Sequence, residues 1–122
     1  MGKILLVDDE EQLRSMLRIV LEDAGHEVVA AGNGKEAFEI FQSRPVDLMV
    51  TDLIMPGQEG IETIIQFRQR YPKVKIIAMS GGGRTGAQNY LDLARKLGAN
   101  LTLSKPFSNS DFLTGVNGVL EQ

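Results

Sequence analysis

Three aspartates, a serine and a lysine stand where short apolar runs give way to polar sequence. Asp8 and Asp9 follow ILLV, Asp52 closes VDLMVTD, Ser80 follows IIAM, and Lys105 ends LTLSK. Any one of them reads as the ordinary start of a solvated loop, because loops are polar by default. The coincidence across four apolar runs calls for a common site. Gathered about 5 Å apart, three carboxylates would repel by about 3 kcal/mol per pair at an effective dielectric of about 20, so such a cluster wants a cation. All-oxygen ligands with an open face suit Mg²⁺, which keeps several waters and shares a phosphate oxygen, with Mn²⁺ as a substitute. A lysine neutralises a phosphoryl group as a point charge, and a serine hydroxyl donates to one of its oxygens. An aspartate beside the cation can itself attack phosphorus. These residue types predict a phosphoryl acceptor.

A second stretch suggests different chemistry. SGGGRTG, Ser80 to Gly86, holds a literal G-x-G-x-x-G at Gly81, Gly83 and Gly86. A dinucleotide fingerprint should follow the first strand and open the first helix, with an acidic residue about 20 positions further on for the ribose. Here the glycines follow the fourth apolar run, and the residue at that distance is Pro106. The context fails twice, so the stretch reads as a loop leading into a helix, with Thr85 and Gln88 as a capping box. Its glycines would serve motion beside Ser80.

The elements that must position these groups alternate along the chain. Ile4–Val7, Val28–Ala31, Leu48–Val50, Ile76–Met79 and Leu101–Leu103 are continuous apolar runs, as strands covered on both faces require. Between them, apolar residues recur at helical spacing. Leu13, Met16, Leu17, Val20, Leu21 and Ala24 form one stripe closed by Gly25, and Tyr90, Leu91, Ala94 and Leu97 form another closed by Gly98. Shorter stripes surround Phe38 and Ile64. The last, from Phe112 to Leu120, opens on a Ser108/Asp111 capping box and carries Gly115 and Gly118, each costing about 1 kcal/mol against alanine. Five βα units with right-handed crossovers predict an α/β, doubly wound five-stranded parallel sheet with five helices. In such sheets ligands sit outside the carboxyl ends of the strands, where all five candidate residues fall.

The fragments ILLVDDEEQLRSML, DLMVTDLIMPGQEG, IIAMSG and GANLTLSKPF together resemble the receiver domain of two-component response regulators, in particular the single-domain, chemotaxis-regulator-like members. The resemblance covers essentially the whole chain, read as one domain over 1–122, and implies that the sheet is flavodoxin-like, with strand order 2-1-3-4-5. It implies a phosphorylation-activated switch rather than a turnover enzyme, a phosphoacceptor that promotes its own phosphorylation and dephosphorylation. Asp52 would take the phosphoryl group from a phosphohistidine on a histidine kinase or histidine phosphotransfer protein. Asp9, Asp52 and the backbone carbonyl of Ile54 would ligate Mg²⁺, with Asp8 helping through water. Lys105 would pair with the phosphoryl group, Ser80 would move to bind it, Lys105-Pro106 would be cis, and the altered surface would bind a downstream protein. Receivers commonly carry Tyr or Phe three residues before the lysine, whereas this chain has Thr102 at that switch position. Phosphorylation is therefore expected to reorder mainly the Ser80 to Gly86 loop and to shift the surface at Thr102 little. Ile54 and Gly82 bear no group able to orient an attacking water, which predicts slow hydrolysis of the acyl phosphate.

Composition narrows the alternatives. The chain has 122 residues, 43% hydrophobic and 24% charged, which suits one soluble globule with a real core. With no cysteine there is no thiolate chemistry, and a net charge of -3 gives no footprint for nucleic acid. Ile4–Val7 is too short for a signal-peptide core and no run approaches membrane-spanning length, so a cytoplasmic protein without membrane insertion is expected. A haloacid-dehalogenase-type phosphohydrolase would need an acid two residues after the nucleophile, where Ile54 stands. A flavodoxin-like electron carrier would need a phosphate loop after the first strand, where two aspartates stand. An interaction module that never uses its phosphorylation remains as a rival because of Thr102. His26 is expected as a solvated turn residue, Met16, Met49 and Met79 as core, and Gly57 and Gly60 as turn punctuation.

Overall fold

The computed structural model describes residues 2–53, 59–81 and 87–122. Strands β1 (Lys3–Val7), β2 (Glu27–Ala31), β3 (Leu48–Asp52), β4 (Lys75–Gly81) and β5 (Leu101–Lys105) alternate with helices α1 (Glu11–Asp23), α2 (Gly34–Ser43), α3 (Glu59–Arg70), α4 (Ala87–Lys96) and α5 (Asn109–Leu120). All strands are parallel, in the order β2-β1-β3-β4-β5. This is the doubly wound arrangement expected from the apolar runs.

The runs of β1 to β4 are continuous because those strands feed two cores, whereas β5 gives Leu101 and Leu103 to one of them. Leu5, Val7, Met49, Ile76 and Ala78 pack with Ala37 and Phe41 of α2, Ile64 and Phe67 of α3, and Leu91 and Ala94 of α4. Their neighbours Ile4, Leu6, Leu48, Val50, Ile77 and Met79 pack on the other face with Leu17 and Leu21 of α1 and Phe112, Val116 and Val119 of α5. Alternate residues of a strand point to opposite faces, so only an unbroken apolar run satisfies both layers. On the first face Phe41 and Tyr71 lie 4.2 Å apart between centroids and Phe38 and Phe67 also 4.2 Å, joining α2 to α3.

Helix ends follow their sequence signals. The Asn33 side chain accepts from Glu36 N at 2.8 Å, and Ser108 Oγ accepts from Asp111 N at 3.0 Å. Gly25 and Gly98 adopt positive φ of 93° and 113° just past α1 and α4, the left-handed conformation that glycine takes without a Cβ clash. Thr85 of the other expected capping box lies outside the described residues.

Two expectations are corrected here. Met16 is 46% exposed, because α1 turns Leu17 and Leu21 to the sheet and Leu13 and Val20 to its margin, which leaves Met16 on the outer flank of the stripe. His26 is only 7% exposed. Its Nδ1 accepts from Gly2 N at 3.1 Å, so Nε2 carries the proton and donates to Asn117 Oδ1 at 2.9 Å. The ring stitches the start of β1 to the last turn of α5, a contact spanning 91 residues.

Candidate functional site

The carboxyl edge of the sheet collects the polar residues. β1 ends immediately before Asp8, β3 ends at Asp52 and β5 at Lys105, while Ser80 is the penultimate residue of β4. Register brings them level: Val7 lies beside Thr51, Asp52 beside Met79, and Gly81 beside Lys105. Crossovers leave β1 toward β2 on one side and reach β3 on the other, so Asp8 and Asp52 flank the point where strand order reverses.

Asp8 is fully buried and held on every polar group. Its N–H donates to Ala31 O at 3.1 Å, its carbonyl accepts from Arg14 Nη1 at 2.6 Å, and Oδ1 accepts from Glu10 N at 2.9 Å. Lys105 Nζ lies 3.5 Å from Asp8 Oδ2 and 3.4 Å from Asp52 Oδ2. One ammonium thus bridges two buried carboxylates. Asp9 is exposed, and one carboxylate oxygen from each of Asp8, Asp9 and Asp52 falls within 4.8 Å of the others. Among the described residues of the cluster three negative charges stand against one positive, a balance that calls for a cation, and the donors are the all-oxygen set that Mg²⁺ takes.

Ser80 is fully buried, and its Oγ has no hydrogen-bond partner among the described residues. A buried hydroxyl without a partner costs about 1 to 3 kcal/mol, so the group is suited to receive one. Thr102 is half-buried on β5, and its Oγ1 accepts from Arg95 Nη2 of α4 at 2.9 Å. The Lys105-Pro106 bond is cis. Ile54, Gly57, Gly82, Gly83, Arg84 and Gly86 lie outside the described residues.

Sequence reading missed two neighbours of the cluster. Gly60, taken as turn punctuation, is a buried residue in the first turn of α3 whose missing side chain is required: a Cβ there would overlap Asp52 O and come within 2.5 Å of Leu53 Cα. Arg14 carries no local mark, since it sits in an ordinary charged stretch of an amphipathic helix. A groove of about 900 Å³ also opens at the opposite, amino edge beside His26, Tyr71, Lys75 and Asn117. His26, Asn117 and Lys75 within it are spent on the fold, Lys75 Nζ on Leu120 O at 3.2 Å, and Asp8, Asp9 and Asp52 lie at the other edge.

No described helix is long and apolar enough to cross a membrane. Residues 4–117 match the response regulator receiver domain family. The chain is 36% identical over 121 residues to the chemotaxis protein CheY of Thermotoga maritima, covering 98% of both chains. It is 32% identical over 122 residues to the transcriptional regulatory protein CpxR of Escherichia coli, covering all of this chain and 50% of CpxR. A response regulator receiver domain protein from Clostridium thermocellum superposes with a TM-score of 0.88 at 29% identity, over 99% of this chain and 95% of that one. The chain spans about half the length of several curated relatives that it matches. The two-core parallel sheet and its acidic carboxyl edge are those of a known family: the chain belongs to the response regulator receiver domains of two-component systems.

Proposed function

We propose that Asp52 is the phosphoacceptor of a signalling switch, taking a phosphoryl group from a phosphohistidine on a histidine kinase or histidine phosphotransfer protein. The observation that carries this reading is the Lys105 ammonium held 3.4 Å from Asp52 Oδ2 and 3.5 Å from Asp8 Oδ2. A carboxylate oxygen of Asp52 attacks phosphorus, a P–O bond forms as the P–N bond breaks, and the departing imidazole nitrogen takes up a proton. Lys105 then follows the incoming charge, exchanging carboxylate partners for a phosphoryl oxygen. Ser80 Oγ, buried and without a partner among the described residues, donates to a second oxygen.

Asp9 and Asp52 would hold Mg²⁺ directly, with the Ile54 carbonyl as a further ligand and Asp8 acting through water. The metal, when bound, neutralises charge on the phosphoryl oxygens as the new bond forms. Asp8 serves the site chiefly as an anchor, since its own oxygens are taken by Glu10 N and Lys105. The modified surface would engage a downstream protein. At Thr102 the place of an inward-swinging ring is taken by a polar link to Arg95, in keeping with a response concentrated on the Ser80 to Gly86 stretch rather than on the surface at Thr102.

Intact mass after incubation with acetyl phosphate tests the reading, with and without Mg²⁺, on the wild-type chain and on Asp52→Asn. A single phosphoryl adduct that needs Mg²⁺ and disappears in Asp52→Asn is expected. An adduct that persists in the variant would move the acceptor elsewhere. No adduct on a wild-type chain shown to bind Mg²⁺ would favour a constitutive interaction module instead.

A further inference from the structure

We propose that Arg14 is the positioning residue of the acid pair, holding the peptide between Asp8 and Asp9 so that Asp9 faces the cation; this rests on the reading of the cluster given above. Arg14 lies in the first turn of α1, where its own N–H donates to Glu10 O at 3.0 Å. Its side chain doubles back along the helix and Nη1 donates to the Asp8 carbonyl at 2.6 Å. Among the described residues no ion pair engages Arg14, although Glu11 and Glu36 line the same surface hollow. The guanidinium is spent on a neutral carbonyl.

That choice has a geometric consequence. The Asp8 carbonyl and the Asp9 N–H belong to one rigid planar unit, so fixing the oxygen fixes the torsion that places the Asp9 Cα. The Asp8 N–H is already tied to Ala31 O on β2 and Oδ1 to Glu10 N. Arg14 supplies the remaining restraint, from the helix that follows. Gly32 stands beside the clasp, a Cβ there lying 3.5 Å from Nη1, and its own N–H is held by Glu36 Oε2 at 3.3 Å. The end of β2 therefore backs the guanidinium. Asp9 is exposed, so its aim depends on the backbone rather than on packing around its carboxylate.

The charge and the hydrogen bond of Arg14 act in opposite directions, which makes the proposal testable by sign. A positive charge near a cation site weakens cation binding by simple repulsion, so deleting it should tighten Mg²⁺. A carbonyl clasp that aims a ligand works the other way. Groups that orient metal ligands typically change affinity about tenfold or more when removed, and Arg14→Met is expected to weaken Mg²⁺ by about that factor. Arg14→Lys, which keeps a charged donor, should stay within roughly threefold of wild type by the same measure.

Isothermal titration of the full chain with MgCl₂ reads these affinities directly, with circular dichroism confirming that each variant is folded. Weaker binding in Arg14→Met with recovery in Arg14→Lys is the expected result. Equal or tighter binding in a folded Arg14→Met overturns the clasp while leaving the site intact. If Arg14→Met does not fold, Arg14→Gln decides by the same sign, being neutral and too short to reach as Nη1 does. A wild-type chain that binds no Mg²⁺ overturns the reading of the acidic cluster and the clasp with it.

Discussion

Arg68→Ala is expected to lower unfolding free energy by about 3 kcal/mol, the upper end of the range for hydrogen bonds made by a charged group, here a half-buried one. The melting temperature should fall by roughly 10 °C. Arg68 stands near the end of α3, and its guanidinium serves four acceptors. Nε and Nη2 donate to Gly98 O at 3.1 and 2.8 Å, Nη2 also to Asn100 Oδ1 at 2.9 Å, and Nη1 to Pro72 O at 3.1 Å and to Val74 O. Asn100 Oδ1 in turn accepts from Ile76 N at 2.8 Å. Burial pushes the guanidinium pKa below its ordinary value, since desolvation disfavours the charged form. The carbonyls offset that cost. Alanine leaves their oxygens without donors at the junction of α3, β4 and the turn into β5. Arg68→Lys should recover only part of the loss, because a single ammonium cannot span the positions that the planar fork reaches. Thermal melts by circular dichroism would show it, and an Arg68→Ala chain melting within a degree or two of wild type would refute the staple.

Gly60→Ala is expected to cost about as much stability, roughly 3 kcal/mol, and to slow phosphorylation of Asp52 as well. The added methyl would press on Asp52 O and stand 2.5 Å from Leu53 Cα and 2.8 Å from Leu53 O. All three contacts are backbone, so no side-chain rotation relieves them. Either α3 lifts from the sheet or the end of β3 moves, and the second outcome carries the proposed acceptor away from Lys105. Gly118→Ala is the control. It too lies inside a helix, but a Cβ there meets nothing within 4 Å, and the change should stabilise the protein by about 0.5 to 1 kcal/mol. Chemical denaturation measures the stabilities, and mass spectrometry with acetyl phosphate measures adduct formation. Gly60→Ala reacting at the wild-type rate in a folded chain would show that Asp52 is not held by this contact.

Strands β1 to β4 were legible because burial on both faces leaves no polar residue inside a run, so ILLV or IIAM announces itself without a partner. The site was legible for a related reason. Asp8, Asp9, Asp52, Ser80 and Lys105 break those runs at corresponding ends, and a parallel sheet brings corresponding ends together. Residues whose work depends on a distant partner were not legible. His26 looks like a turn residue until Asn117, 91 positions on, is placed against it. Gly60 looks like punctuation until α3 is laid on Asp52, and Arg14 and Arg68 look like surface charge until their carbonyl acceptors are in place. Met16 misled in the opposite sense, since the α1 stripe is wider than the surface it covers.

The bridge from Lys105 to Asp8 joins residues 97 apart, and Lys105 ends the last strand. Every strand pairing in this sheet is parallel, so each waits for a loop containing a whole helix to close, a non-local step that slows folding. During synthesis the carboxylates emerge early and their counter-charge late. A nascent chain that has passed Asp52 but not Lys105 holds the acids without the ammonium that draws two of them together, and the edge strand that carries it has yet to dock. The proposed acceptor site is thus assembled only when almost all of these 122 residues have been made.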